Sequence, residues 1–346
     1  MADITKIDKN FEVKTIQMDD IKFYNAEDKI FNTYGVFKEN GKYRRMPEDV
    51  AKKVNPGVYE LHTNTAGGRV RFMTDSRYVA IHTVTEGLPS FSHMTFCGSN
   101  GYDIYVGDNY KNSFIPPFGE LEYEGISEFD SNEMREITIN FPLYCNVCEL
   151  HIGLQKTAKI KDAPAYAVNK PIVFYGSSIT QGGCASRPGN CYQNIISRRV
   201  DCDYINLGFS GSARAEDTIA EYINNLDMSV FVYDYDHNAP TVAYLENTHE
   251  KMFKAVRAAN PNLPIVIMSR PKHYLTKIEE EHLEIIKRTY NNARSGGDEN
   301  VYLLDGKALT KMCKNDGTVD DVHPNDFGFA AMAEALSEVL EKILSK

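Results

Sequence analysis

The chain has 346 residues, 42% of them hydrophobic and 25% charged, a composition expected of a globular protein with one large or two ordinary domains. Its formal net charge of −10 offers no basic footprint, which argues against nucleic acid or an anionic membrane surface as partner. No apolar run reaches the ~18 residues that a membrane-spanning helix needs.

The start, Met1-Ala2-Asp3-Ile4-Thr5-Lys6, lacks the apolar stretch of a signal peptide, so a cytoplasmic location is expected. The seven cysteines are odd in number and scattered, which speaks against a disulfide framework. Cys145-x-x-Cys148 has neither a second pair nor histidines at ligand spacing, so buried thiols are expected there and no metal.

From Gly57 to about Gly153 the pattern is that of strands. Arg69-Val70-Arg71-Phe72, Ile137-Thr138-Ile139-Asn140-Phe141 and Glu149-Leu150-His151-Ile152 alternate, and Tyr78 to Val84 is rich in β-branched residues. Turn signals such as Ala66-Gly67-Gly68 and Ile115-Pro116-Pro117-Phe118-Gly119 separate the runs. Strands without intervening helices predict a β-sandwich.

After Lys170-Pro171 the period changes. Five short apolar runs, Ile172 to Tyr175, Tyr204 to Leu207, Val230 to Tyr233, Ile265 to Met268 and Val301 to Leu304, alternate with helical patterns over Thr241 to Ala259 and Leu275 to Ala293. A closing helix from about Phe327 carries Met332, Leu336, Val339, Leu340 and Ile343 on one side. This alternation predicts an α/β half with a parallel five-stranded sheet and right-handed crossovers. The expected division is 1–165 for the sandwich and 166–346 for the α/β half.

In such a sheet, reactive groups collect beyond the carboxyl ends of the strands. The first strand is followed by Gly176-Ser177-Ser178-Ile179-Thr180-Gln181, where a serine could be a nucleophile beside backbone N–H donors or merely a helix cap. The second is followed by Asn206-Leu207-Gly208-Phe209-Ser210-Gly211, suited to close backbone approach or to a plain loop. After the third come Asp234-Tyr235-Asp236-His237-Asn238-Ala239-Pro240, in which Asn238 could donate an amide N–H to an oxyanion. Asp234 and Asp236 read as metal ligands or, better, as a cap for the helix after Pro240. Before the last helix, Asp320-Asp321-Val322-His323-Pro324 places a carboxylate three residues before a histidine, able to fix its tautomer through Nδ1.

In this order, the four segments resemble the blocks of the SGNH (GDSL-like) hydrolase family, over roughly Pro171 to Lys346. Upstream, Gly101-Tyr102-Asp103-Ile104-Tyr105 is similar to the Gly-x-Asp-Leu-Tyr signature of the jelly-roll-like sandwich that precedes the hydrolase domain in one bacterial subfamily. The resemblance implies Ser178 as nucleophile, His323 as base, Asp320 as its orienting acid, and Ser178, Gly211 and Asn238 as the oxyanion hole. It implies a serine esterase without metal or organic cofactor, or an acyltransferase using the same acyl-enzyme. A carbohydrate-binding protein with an inactive hydrolase domain is the alternative of a different class.

Two positions depart from the family pattern: Ser177 stands where Asp is usual, and the third block reads Asp236-His237-Asn238-Ala239 in place of Gly-x-Asn-Asp. The first removes the carboxylate that usually neighbours the nucleophile; the second keeps Asn238 and bears on substrate preference more than on catalysis. The polar loop after the nucleophile, with Gln181 and Arg187, and His237 in the third block are expected to bind substrate. A short acyl group, acetyl above all, on a polar carrier such as a sugar follows as the expected substrate. An exposed sandwich edge would permit a homodimer.

Overall fold

The computed structural model describes residues 16–345. Two antiparallel sheets form the sandwich. One orders Ile21–Asn25, Val147–Gln155, Tyr78–Thr85 and Glu122–Glu128. The other orders Ile160–Lys161, Arg69–Thr74, Arg135–Asn140, Tyr102–Val106 and Asn109–Phe114, and Asn32–Tyr34 also pairs with Arg69–Thr74. Strand period 2 sends Val70, Phe72, Ile137 and Ile139 inward against Val79, Ile81, Leu150 and Ile152.

The polar half of the same alternation is not solvated. Arg69 is only 1% exposed, because the outer face of its strand is covered by the α/β half. Its guanidinium pairs with Asp203 and lies 3.9 Å from the ring centroid of Tyr204. Three short helices also interrupt the region of strands: Glu48–Val54, Pro56–Leu61 and Phe96–Asn100. Met46, Ala51 and Val58 pack into the core of the α/β half, beside Tyr175, Leu207 and Phe209.

In the second half, strands Val168–Gly176, Cys202–Gly208, Val230–Asp234, Ile265–Met268 and Val301–Leu304 form one parallel sheet. Its spatial order is second, first, third, fourth, fifth. Each strand is apolar on both sides because both faces are covered. Ile172 and Phe174 face the helices Tyr192–Val200 and Asp326–Leu344, whereas Val173 and Tyr175 face Asp217–Asn224, Val242–Ala259 and Lys277–Ser295. Thr241, Thr276 and Asn325 cap three of these helices, and Thr276 forms a capping box with Glu279. The chain leaves the first strand to one side and returns to its other side, so the crevice for a ligand lies at the end of that strand.

The core beneath this crevice holds a histidine. His249, 2% exposed, lies against the rings of Tyr233 and Tyr235 and meets Thr289 Oγ1 at 2.8 Å through Nδ1. Burial pushes its pKa down to about 3. The unfolded chain, with histidine near ~6.5, therefore binds a proton between these values that the folded chain does not. Stability is full above the unfolded pKa and falls as pH drops toward 3. Denaturant unfolding at pH 7 and pH 5 should show this loss, at most about 1.4 kcal/mol per pH unit from one histidine. His249→Gln should flatten that dependence, leaving only what other groups contribute.

Candidate active site

Four loops converge at the end of the first strand. Ser177 caps the short helix Ser178–Gln181, its Oγ accepting from the Ile179 N–H at 3.2 Å. Of the two adjacent serines one therefore serves as cap, while Ser178 keeps its hydroxyl free for another partner. That partner is His323: Oγ and Nε2 are 2.9 Å apart. Ser178 heads the helix, so its N–H has no intrahelical acceptor.

His323 is held from its other side. Its Nδ1 lies 2.8 Å from Asp320 Oδ2, and its main-chain N–H donates to Asp320 Oδ1 at 2.7 Å. Partial burial alone would raise the Asp320 carboxyl, but these bonds from His323 outweigh it and hold the group below the ordinary carboxylate range. Asp321 takes a left-handed backbone conformation and turns elsewhere, to Lys272 Nζ at 2.7 Å and Asn315 Nδ2 at 3.1 Å.

The second loop is fixed by close approach. A Cβ on Gly208 would stand 2.1 Å from the Gln181 main-chain nitrogen, so only glycine allows the two loops to touch. Asn206 reinforces the contact, donating to Thr180 O at 2.7 Å and accepting from the Gly208 N–H at 2.9 Å. Gly211 follows with φ +68, its Cα facing open space. Asn238, in the third loop, donates through Nδ2 to Phe209 O at 3.1 Å, which ties that loop to the second.

Two of the three residues expected to bind substrate point elsewhere. Gln181 is fully buried; its Nε2 donates to Asn64 Oδ1 at 3.0 Å and Leu143 O at 3.2 Å, and its Oε1 accepts from the Ser210 N–H at 3.0 Å. No group of its amide is left for a ligand. Arg187 turns to the sandwich, where it pairs with the buried Asp103 at 3.0 Å and donates to Tyr105 Oη. A buried carboxylate needs a counter-charge, and Asp103 takes this one. His237 is close enough to His323 for their charges to interact, and burial lowers its pKa to about 4, which keeps the ring neutral at pH 7.

The two aspartates of the third block do not cap the following helix and, among the described residues, gather no further ligands. Thr241 is the cap. Asp236 pairs with Arg270 Nε at 3.0 Å, and burial beside that anion pushes the Asp234 carboxyl well above the ordinary range. Arg270 continues to Glu279 at 3.0 Å, Glu279 to Lys272 at 3.2 Å, and Lys272 to Asp321. This ion-pair chain joins the Asn238 loop to the His323 loop. Its basic members follow the fourth strand as Ser269-Arg270-Pro271-Lys272, a strand-end cluster whose position was the only available signal. All seven cysteines are free. Among the described residues, no helix is long and apolar enough to cross a membrane.

Residues 169–341 match the GDSL-like Lipase/Acylhydrolase family, and residues 21–160 match the N-terminus of SGNH-hydrolase-type esterases. Among solved structures, a Bacteroides ovatus protein described as a GDSL-like lipase is 26% identical, with a TM-score of 0.83 over 94% of this chain and 98% of its own. A salicylyl-acyltransferase from a tetracycline biosynthetic pathway is 18% identical, with a TM-score of 0.77 over 94% and 98% of the two chains. A family two carbohydrate esterase from Cellvibrio japonicus is 13% identical, with a TM-score of 0.64 over the same shares. The last two are alike in fold alone. No curated protein sequence matches this chain. The chain thus belongs to the GDSL-like lipase/acylhydrolase family and is a carboxylic ester hydrolase.

Proposed function

We propose that Ser178, His323 and Asp320 act as a catalytic triad that cleaves short-chain O-acyl esters, acetyl above all, of a polar carrier such as a sugar. The continuous relay from Asp320 through His323 to Ser178, at 2.8 Å and 2.9 Å, carries this reading. Asp320 fixes the tautomer in which Nδ1 carries the proton and Nε2 is free to accept one. Ser178 Oγ attacks the ester carbonyl as Nε2 takes its proton. The tetrahedral intermediate collapses when His323 returns that proton to the leaving alcohol, and water then releases the acid from the acyl-enzyme.

The developing oxyanion would be held by the N–H groups of Ser178 and Gly211 and by Asn238. One N–H of the Asn238 amide is used by Phe209 O, which orients the group and leaves its second N–H for the substrate. Removing one such donor costs about 3 kcal/mol, roughly a hundredfold in rate. A polar carrier is favoured by the groups around the relay: His237, Asn238, Ser210 and the Tyr144 hydroxyl, 3.4 Å from Ser178 O. The family two carbohydrate esterases sharing this fold make an acylated sugar the first class to test.

Ser178→Ala should lower kcat by about 10⁴-fold or more and abolish fluorophosphonate labelling, while Ser177→Ala, which removes only a cap, should still label. Labelling of Ser178→Ala to the wild-type extent would remove Ser178 from the mechanism. Asp320→Asn should cost about 10³-fold or more in kcat through loss of the correct tautomer, and Asp321→Asn much less. Equal, mild effects at both positions would mean that the His323 tautomer does not depend on Asp320. Among p-nitrophenyl esters from acetyl to decanoyl, kcat/KM should be greatest for the shortest chains. A steady climb toward decanoyl would overturn the short-acyl assignment.

A further inference from the structure

The sandwich sends a loop over the relay, and it carries a second set of donor atoms there. The His93 ring lies 5.2 Å, centroid to centroid, from that of His323. Cys184, which follows the nucleophile helix, is 6% exposed and takes a left-handed backbone conformation with φ +73. Its thiol points at this loop, donating to His93 O with an S···O separation of 3.3 Å. One ligand atom from each of His93, Cys184 and His323 can be chosen so that all lie within 4.8 Å of one another.

Two imidazoles and a thiol are the donors that borderline-soft divalent ions select. Around tetrahedral Zn²⁺, with bonds of about 2.0–2.3 Å, such atoms sit roughly 3.3–3.6 Å apart, so side-chain rotation closing the trio by about 1 Å would complete the site. His323 is already arranged as a metal ligand would be, with Asp320 on Nδ1 fixing the ring and presenting Nε2. Three protein ligands leave the fourth position to water.

We propose that His93, Cys184 and His323 bind a thiophilic divalent cation of the Zn²⁺ class, and that the bound ion switches the esterase off. Binding releases the Cys184 proton to solvent and forms one metal–sulfur and two metal–nitrogen bonds. Nε2 cannot hold the metal and accept the Ser178 proton together, so occupancy and base catalysis exclude each other. The binding site stands on its own geometry; the inhibition rests on the reading of His323 as base.

The test is titration of the metal-free full chain with Co²⁺, followed by absorption, and with Zn²⁺, followed by esterase rate. One equivalent of Co²⁺ should produce a thiolate-to-cobalt charge-transfer band in the near ultraviolet, and Zn²⁺ should displace it. Over the same concentrations Zn²⁺ should lower kcat/KM by about a hundredfold or more, reversibly with a chelator, as the base is captured. Cys184→Ser should hydrolyse esters without metal, show no charge-transfer band and resist Zn²⁺; His93→Gln should weaken both responses. Absence of the band, or a band and inhibition unchanged in Cys184→Ser, would overturn the site. A band without inhibition would overturn His323 as the third ligand. A chain that forms the band but hydrolyses no ester, with or without metal, would instead overturn the esterase reading and leave the metal site standing.

Discussion

The buried amide of Gln181 is the constraint on which the site depends. It leaves the helix Ser178–Gln181, accepts from the loop after the second strand at Ser210, and donates to Asn64 and Leu143 in the sandwich half. A buried amide left unpaired costs about 1–3 kcal/mol per group, so the three segments are stable only in one mutual register. Arg45 repeats the device with a charge. Its guanidinium donates to Asn64 O at 2.7 Å, Leu61 O at 2.8 Å and Gly208 O at 2.6 Å, and lies 4.8 Å from the centroid of Phe209. Burial without a carboxylate partner lowers its pKa to about 9, and the carbonyls supply the compensation. The Gly208 to Gly211 turn is thereby set from the sandwich side.

On the far side the same task falls to ion pairs. Asp236, Arg270, Glu279, Lys272 and Asp321 form a run of alternating charge from the third loop to the loop of His323. An exposed pair contributes little, but Asp236 and Arg270 are largely buried, so each member is held by the cost of leaving its neighbour uncompensated. The chain of ion pairs thereby ties the Asn238 loop to the His323 loop. The relay of Asp320, His323 and Ser178 lies between a rigid amide network and a rigid ionic one. Such support holds the three side chains in one arrangement, which the proposed catalysis would need in place before substrate arrives.

Much of this was legible in the residues themselves. The change of period at Lys170-Pro171 separates strands from alternating strands and helices, because period 2 and period 3.6 cannot be confused over long segments. The ends of the first, second and third strands and the approach to the last helix drew attention to the segments of Ser178, Gly211, Asn238, Asp320 and His323, since reactive groups collect at that edge of a parallel sheet, and the resemblance to SGNH hydrolases suggested their roles. The pairing of Asp320 with His323 is a three-residue contact, within reach of a reading from spacing alone.

What the sequence could not contain was which polar residues face inward. Gln181 and Arg187, read from the sequence, look like ligands in a polar loop. The sandwich closes over that loop and supplies Asn64, Leu143 and Asp103, residues 117, 38 and 84 positions away in the chain, as their partners. Arg69 and Arg71 are the polar half of an alternating strand, and that face meets Asp203, Tyr204 and Tyr166. Local pattern determines element type, strand faces and the chemistry at strand ends, because these depend on neighbours a few residues apart. Whether a polar side chain binds substrate or holds two halves together depends on what the other half buries against it, and only the tertiary structure decided that.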